Sequence, residues 1–351
     1  MKPSSAAILP SRNEPATIAA VTAAVDAALN DPEAVIVSAD SSDHPATADR
    51  FTGTPTRARK ISLIGLPRGK GAQILHALPH IPGATGTVLI ADTDTLTPEP
   101  DVYRALLARA GTGCSIADYP RYWDEANLTS HLARPLIAAT TGHDVPQPLA
   151  GDLALSVGAV NAVRTTKTGL RPCLATEVDG YGIDAFLLLA AARTGPITSV
   201  PVRAPKRHAP SFSHLPQIYA QAVPVLLSLT ATSPAPREPR AGTPLYRPAD
   251  RILDPDRRAF MIATLDELAP ALPRYEARPW PLPVADAWRA VRNGESPHKA
   301  ARTLWPYYIH RVRTWLATNG QSEERRARDL AEAQTRLIDA LTTDSARRHI
   351  P

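Results

Sequence analysis

The stretch Thr87-Val88-Leu89-Ile90-Ala91-Asp92-Thr93-Asp94 constrains the fold of this chain most. An apolar run with β-branched residues ends abruptly in two carboxylates one residue apart. Such a run reads as a buried strand. In open α/β sheets, ligands sit beyond the carboxyl ends of the strands, so Asp92 and Asp94 are expected at the rim of a sheet. Alternation directs their side chains the same way. Two converging carboxylates repel unless a cation lies between them, and hard divalent ions take oxygen ligands of this kind. An ion held there would next bind a diphosphate. The simpler alternative is a strand ending in a polar turn, with Asp chosen for turn chemistry.

The neighbouring segments place that strand in a larger pattern. Ala6-Ala7-Ile8-Leu9 reads as a first strand, Pro10 to Glu14 as a loop, and Pro15 suits the first turn of a helix through Ile18, Val21, Val25 and Leu29. Ala34 to Ala39 is a second strand, ending in Asp40-Ser41-Ser42-Asp43. Strand, helix, strand implies a parallel sheet and an α/β fold. Ile61 to Ile64 reads as a short strand, followed by Gly69-Lys70-Gly71 and a helix through Ile74 and Leu78. Glycines flanking a lysine at a helix start can bring backbone N–H groups and a cation to a phosphate, although a simple turn has the same appearance. Pro98 is expected to begin a helix, Cys114 to Tyr119 to contain a strand, and Pro135 to kink or start a helix within Trp123–Thr141. Pro146 to Asp152 is a loop, Ala185 to Ala192 a helix, Ile197 to Val202 a strand and Ser213 to Ala231 a helix.

Composition limits the function classes. The 351 residues suffice for one large domain with an appendage or for two domains. No apolar run reaches the length of a membrane span, and no secretory segment precedes the first strand. Two cysteines without metal-ligand spacing suggest a reducing, cytoplasmic compartment. The net charge of +5 comes from scattered arginines, not a basic stripe, which argues against nucleic acid as a partner.

Taken together, Pro10-Ser11-Arg12-Asn13-Glu14, Ala39-Asp40-Ser41-Ser42-Asp43, Arg68-Gly69-Lys70-Gly71 and Asp92-Thr93-Asp94 resemble the GT-A nucleotide-sugar glycosyltransferases. Leu132-Ala133-Arg134-Pro135-Leu136, Gln147 to Asp152 and Gly180-Tyr181-Gly182-Ile183-Asp184 resemble the retaining group that includes glucosyl-3-phosphoglycerate and mannosylglycerate synthases. The resemblance implies a Rossmann-like, mostly parallel sheet flanked by helices. It covers residues 6 to about 225 and implies a GT-A domain over 1–232, with a nucleotide-sugar half to about 120 and an acceptor half from 121. A Pro/Arg-rich linker over 233–248 and a helical C-terminal region over 249–351 complete the expected organisation.

Site roles follow from the same resemblance. Pro10, Ser11, Arg12, Glu14, Asp40 and Ser41 would hold base and ribose. Lys70 would sit near the base or diphosphate, and Asp92, Thr93, Asp94 and Arg203 would meet the ribose and diphosphate, the latter through Mg2+ or Mn2+ at Asp94. Asp184 stands where the family usually has Glu and would contact sugar or acceptor hydroxyls. Leu149 would lie against the anomeric carbon, and Asp152 is a further candidate for assisting catalysis. Asp124, Asn127, Thr129 and Tyr181 would contact the acceptor.

Two departures stand out. The family's metal-ligand His follows a Val-Arg-Ala run, whereas here Val202-Arg203-Ala204 is followed by Pro205. Either His208 takes the role, the preferred reading, or Lys206 and Arg207 replace the metal's charge. The family's acceptor arginine is replaced by Asn127, beside Asp124 and Glu125. That disfavours phosphoglycerate and suits a neutral or cationic acceptor.

The leading expectation is a metal-dependent retaining glycosyltransferase using a UDP- or GDP-sugar and a small acceptor, with a place in antibiotic biosynthesis. An S-glycosyltransferase acting on a thiol such as ergothioneine in lincosamide-type assembly is an alternative. A nucleotidyltransferase is another, although Pro10 to Glu14 lacks its glycine-rich loop; a non-catalytic sugar-nucleotide binder is a third. The Trp-containing C-terminal helices suggest a homodimer.

Overall fold

The computed structural model describes residues 4–83, 85–206, 212–232, 252–268, 278–318 and 321–347. In chain order the strands are β1 (Ala6–Ser11), β2 (Val35–Asp40), β3 (Arg59–Leu63), β4 (Thr87–Ile90), β5 (Cys114–Asp118), β6 (Leu153–Ser156) and β7 (Ile197–Pro201). The helices are α1 (Ile18–Leu29), α2 (Ala46–Gly53), α3 (Lys70–Ala77), α4 (Pro100–Arg109), α5 (Arg134–Thr141), α6 (Val157–Thr168), α7 (Ala175–Asp179), α8 (Ile183–Ala191), α9 (Leu215–Ala231), α10 (Pro255–Leu268), α11 (Leu282–Arg292), α12 (Pro297–Ala317) and α13 (Glu323–Arg347). The fold is α/β with helices at the C-terminal end, as expected.

The chain divides into two units, Met1–Tyr119 with Leu149–Ser211, and Pro120–Pro148 with Phe212–Pro351. The first carries one seven-stranded sheet in the order β3-β2-β1-β4-β6-β5-β7. β1 pairs in parallel with β2 and β4, β2 with β3, and β5 with β7. Between them β6 runs antiparallel to both β4 and β5. The reversal matters for function, because it brings the start of β6 to the edge where its neighbours end. Leu153 pairs with Ile90 and with Ile116, so Asp152 enters the sheet beside the residues that leave β4 and β5.

β1 and β2 are buried along their whole length, as near-continuous apolar runs in a covered parallel sheet should be. Ile18, Val21 and Val25 of α1 and Tyr103 and Leu106 of α4 join Ala7, Leu9, Ile36 and Leu89 in one core. Pro100, not Pro98, occupies the first turn of α4. The glycines around Lys70 have a packing reason. A Cβ on Gly69 would stand 2.3 Å from the Asp179 carbonyl oxygen, and one on Gly71 would stand 1.8 Å from that of Val178. They let α3 start directly against the 178–180 backbone, which aims Lys70 toward Asp184.

In the second unit Pro135 lies in the first turn of α5, directly after a π-helical turn over Thr129–Ala133. Arg134 donates to Asp144 through Nε at 2.6 Å and through an NH2 group at 2.8 Å. The Trp315 indole donates to the Trp123 carbonyl at 2.6 Å, and the Arg326 guanidinium lies 4.1 Å over the Trp123 ring. Tyr219 of α9 donates to the Ala301 carbonyl and meets the rings of Trp305 and Tyr308. Leu330, Leu337 and Leu341 are buried along one face of α13, the amphipathic pattern its sequence carries. Leu265 is buried on α10, and the 233–248 linker lies outside the described residues. Among the described residues no helix is long and apolar enough to cross a membrane.

Candidate active site

The ends of β1, β2, β4, β5 and β7 and the start of β6 meet at one sheet edge of the first unit. Past Ile90 the burial alternates, with Ala91, Thr93 and Thr95 buried and Asp92 and Asp94 half-exposed. The two carboxylates therefore share a side, as the spacing implied. Thr93 points inward and donates from Oγ1 to the Pro10 carbonyl at 2.7 Å, tying β4 to the end of β1.

Asp92 sits between two ammonium groups. Lys70 Nζ lies 2.7 Å from Oδ1 and Lys206 Nζ 2.6 Å from Oδ2. Lys70 also reaches Asp184 at 2.9 Å, and Lys206 reaches Asp152 at 2.8 Å. The result is an alternating row of charges, Asp152, Lys206, Asp92, Lys70 and Asp184, collected from β6, the segment after β7, the end of β4, α3 and α8. Asp152 is fully buried. Its Oδ1 accepts the Asp92 N–H at 2.8 Å, and its Oδ2 accepts the Tyr119 hydroxyl at 2.6 Å besides Lys206. The Lys206 ammonium also lies 5.5 Å over the Tyr119 ring.

Burial works against every charge in this row, and the neighbours decide which survive. Burial alone would lower the pKa of Lys70, but Asp184 and Asp92 outweigh it and raise the value. Lys206 is raised in the same way by Asp152 and Asp92. Burial would raise Asp92, but Lys206 and Lys70 hold it well below the usual carboxylate range. For Asp184 burial prevails over Lys70, and its pKa is raised. Burial, followed by Asp152, also raises the Tyr119 hydroxyl, which stays protonated as a donor.

Gly151 closes one side of the row. A Cβ at this position would lie 1.9 Å from Asp92 Oδ2. Only a residue without a side chain lets the Leu149–Gly151 loop come this near the carboxylate. Leu149 itself is half-buried.

The ends of β1 and β2 form a second polar group. Asp40 Oδ1 accepts from Ser11 Oγ at 3.3 Å, the Ser42 N–H at 3.0 Å and Ser42 Oγ at 2.5 Å. Gln73 Nε2 of α3 donates to the Ser11 carbonyl and to Ser41 Oγ, both at 2.6 Å. Asp40 and Ser41 are thus buried supports of the edge. Asp43 is more exposed and is paired with Arg68 at 2.6 Å and Arg12 at 3.7 Å. Glu14 is raised by partial burial, and Asp94 lies near enough to add to that shift. Arg203 is exposed.

Of the residues expected at an acceptor, Tyr181 belongs to the first unit, in the turn before α8. Asp124, Asn127 and Thr129 belong to the second and are all buried. Asp124 lies 3.5 Å from Arg257, so its charge is met within the protein. Asn127 Nδ2 donates to the Asp124 carbonyl, while its Oδ1 is buried without a hydrogen-bond partner.

Among the described residues no three His, Cys, Asp or Glu side chains are arranged to hold a metal. The donor set nevertheless fits one class of ion. Mg2+-like ions are commonly held by one or two carboxylates, substrate phosphates and water. Asp94, partly buried at the same sheet edge and near both Lys206 and Glu14, carries such a carboxylate. His208 lies outside the described residues. Sequence reasoning weighed Lys206 only as a substitute for His208, and missed Tyr119 and Gln73. Tyr119 directly follows β5, so the strand end was its available signal, whereas Gln73 lies inside α3 and had none.

No family model matches the chain, and no curated protein matches it. Among solved structures it is similar to glucosyl-3-phosphoglycerate synthase from Mycobacterium tuberculosis in complex with Mg2+ and UDP. The identity is 24%, over 68% of this chain and 80% of that one, with a TM-score of 0.48. The same enzyme with Mn2+, UDP-glucose and phosphoglyceric acid gives 24% identity, 68% and 81% coverage and a TM-score of 0.48. A mycobacterial protein gives 22% identity, 68% and 76% coverage and a TM-score of 0.49.

Proposed function

We infer that this protein transfers a sugar from a nucleoside diphosphate donor, UDP- or GDP-linked, to a small acceptor. The observation that carries this reading is the Asp92-Thr93-Asp94 motif at the sheet edge, joined through Lys70 to Asp184. Breaking the bond between anomeric carbon and phosphate leaves new negative charge on the diphosphate, and groups that meet this charge lower the barrier. Lys70 uses two of its three donors on Asp92 and Asp184. The third is left for a phosphate oxygen. Asp94 would hold a divalent ion, Mg2+ or Mn2+, which when bound supplies further positive charge to the leaving group.

Asp184 takes the role of orienting a sugar or acceptor hydroxyl. The Leu149–Gly151 loop shields the reacting carbon, and Arg12, Asp40 and Ser41 border the nucleoside. Asp152, enclosed by Tyr119, Lys206 and the Asp92 N–H, supports the carboxylate row and is no nucleophile in this scheme. Retention of configuration, an acceptor other than phosphoglycerate, including a thiol, and a role in antibiotic biosynthesis belong to the same proposal.

Titration calorimetry with UDP and with GDP, each with and without Mn2+, tests it. The expected result is metal-dependent binding of one nucleotide, lost in Asp94→Ala. Metal-dependent hydrolysis of the matching nucleotide-sugar separates an enzyme from a binder. Failure of both nucleotides to bind with metal present would refute the reading.

A further inference from the structure

The segment after β7 brings Lys206 to Asp92 and Asp152, its side chain 3% exposed and its ammonium within 2.8 Å of both carboxylates. Without that ammonium, the ends of β4 and β6 would present two adjacent carboxylates, an attractive pair for a hard divalent ion. With it, each carboxylate oxygen that a metal would take is already engaged. Asp92 Oδ1 faces Lys70, Asp92 Oδ2 and Asp152 Oδ2 face Lys206, and Asp152 Oδ1 receives the Asp92 N–H. Tyr119 holds the arrangement from behind by donating to Asp152 and placing its ring under the ammonium. Lys206 is therefore fixed from two sides.

Resting on the donor reading above, we propose that Lys206 is a resident cation that closes Asp92 and Asp152 to divalent metal. The metal then enters only together with the nucleoside diphosphate, at Asp94. The contacts support this exclusion: Lys206 holds Asp92 and Asp152, and Lys70 holds Asp92 and Asp184. A divalent ion approaching Asp92 also meets two like charges in contact with it. A diphosphate adds its own anionic oxygens, which would supply further ligands to an ion held at Asp94. Lys206 is thus a positioning residue that sets where and when the metal binds.

The test uses Mn2+ alone, so it does not depend on activity. Wild-type protein without nucleotide, titrated calorimetrically and by Mn2+ electron paramagnetic resonance, should show no saturable site tighter than about 1 mM, the weak end of protein-held divalent ions. Lys206→Ala should bind Mn2+ at least about tenfold more tightly than wild type. That gain should vanish in Lys206→Ala/Asp152→Asn and be absent in Lys206→Arg, which keeps the charge. Tight binding of Mn2+ by wild-type protein alone would overturn the proposal, and this holds even if the alanine variant fails to fold. So would a folded Lys206→Ala variant with no gain. Titration of Mn2+ with UDP or GDP reports on the donor reading separately: neither nucleotide binding refutes that reading, whatever Mn2+ does alone.

Discussion

Gly151→Ala should disrupt the carboxylate row with no change in charge. The added Cβ would stand 1.9 Å from Asp92 Oδ2 and 2.3 Å from both Oδ1 and Cγ. An ordinary contact begins near 3.4 Å, so the carboxylate or the loop must retreat by about 1.5 Å. A loose carboxylate would swing aside cheaply, but this one is held by Lys70 at 2.7 Å and Lys206 at 2.6 Å. Relieving the clash strains the loop or opens ion pairs in a site of low exposure. Overpacking costs about 1–3 kcal/mol and breaking a buried pair about 3–5 kcal/mol. Because the Asp92 side chain retains 21% exposure, the expected loss is about 2–4 kcal/mol. In an Asp92→Ala background the obstacle is gone, and Gly151→Ala should cost less than about 1 kcal/mol. Lys70 and Lys206 still keep Asp184 and Asp152 there. The double-mutant cycle should therefore show coupling of about 1–4 kcal/mol. Urea denaturation followed by far-UV circular dichroism is the appropriate assay, since all five tryptophans, at positions 123, 280, 288, 305 and 315, lie in the other unit. Additive costs, or a Gly151→Ala loss within about 0.5 kcal/mol of zero, would refute the reasoning.

Alkaline pH gives another test. Lys70 and Lys206 both have raised pKa values, so the folded protein keeps protons that the unfolded chain releases above about pH 10.4. Their contribution is fully present below that pH and is lost as pH rises through the folded values. Lys206→Met should flatten the alkaline fall in urea-measured stability by up to about 1.4 kcal/mol per pH unit; an unchanged slope counts against the assigned charge. In the second unit, Trp315→Phe removes the donor at 2.6 Å from the Trp123 carbonyl. It should cost about 2 kcal/mol in chemical denaturation, and a loss under about 0.5 kcal/mol would show that bond to be expendable.

Much of the site was legible because it is local. The apolar run before Asp92 specifies a strand, and period-two alternation directs Asp92 and Asp94 together while Thr93 turns inward. The first strand–helix–strand unit follows from its own pattern, as does the position of Pro135 in a first helical turn. Other features were ambiguous because one residue type serves several purposes. Gly69 and Gly71 suited a phosphate loop on spacing, yet the backbone of 178–180 supplies a packing reason for both. Asp124 suits a cationic acceptor by its charge alone, yet Arg257 lies 3.5 Å from it.

The sequence by itself determined a strand-end carboxylate pair on an α/β sheet, because alternation and strand propensity act over a few residues. Only the tertiary structure decided what surrounds that pair. Lys206 meets Asp92 across 114 residues, and Asp152 meets it across 60, because β6 runs antiparallel between β4 and β5. That reversal puts the start of one strand beside the ends of its neighbours. No local periodicity encodes it, since strand order is set by how the whole sheet and its covering helices bury their apolar faces.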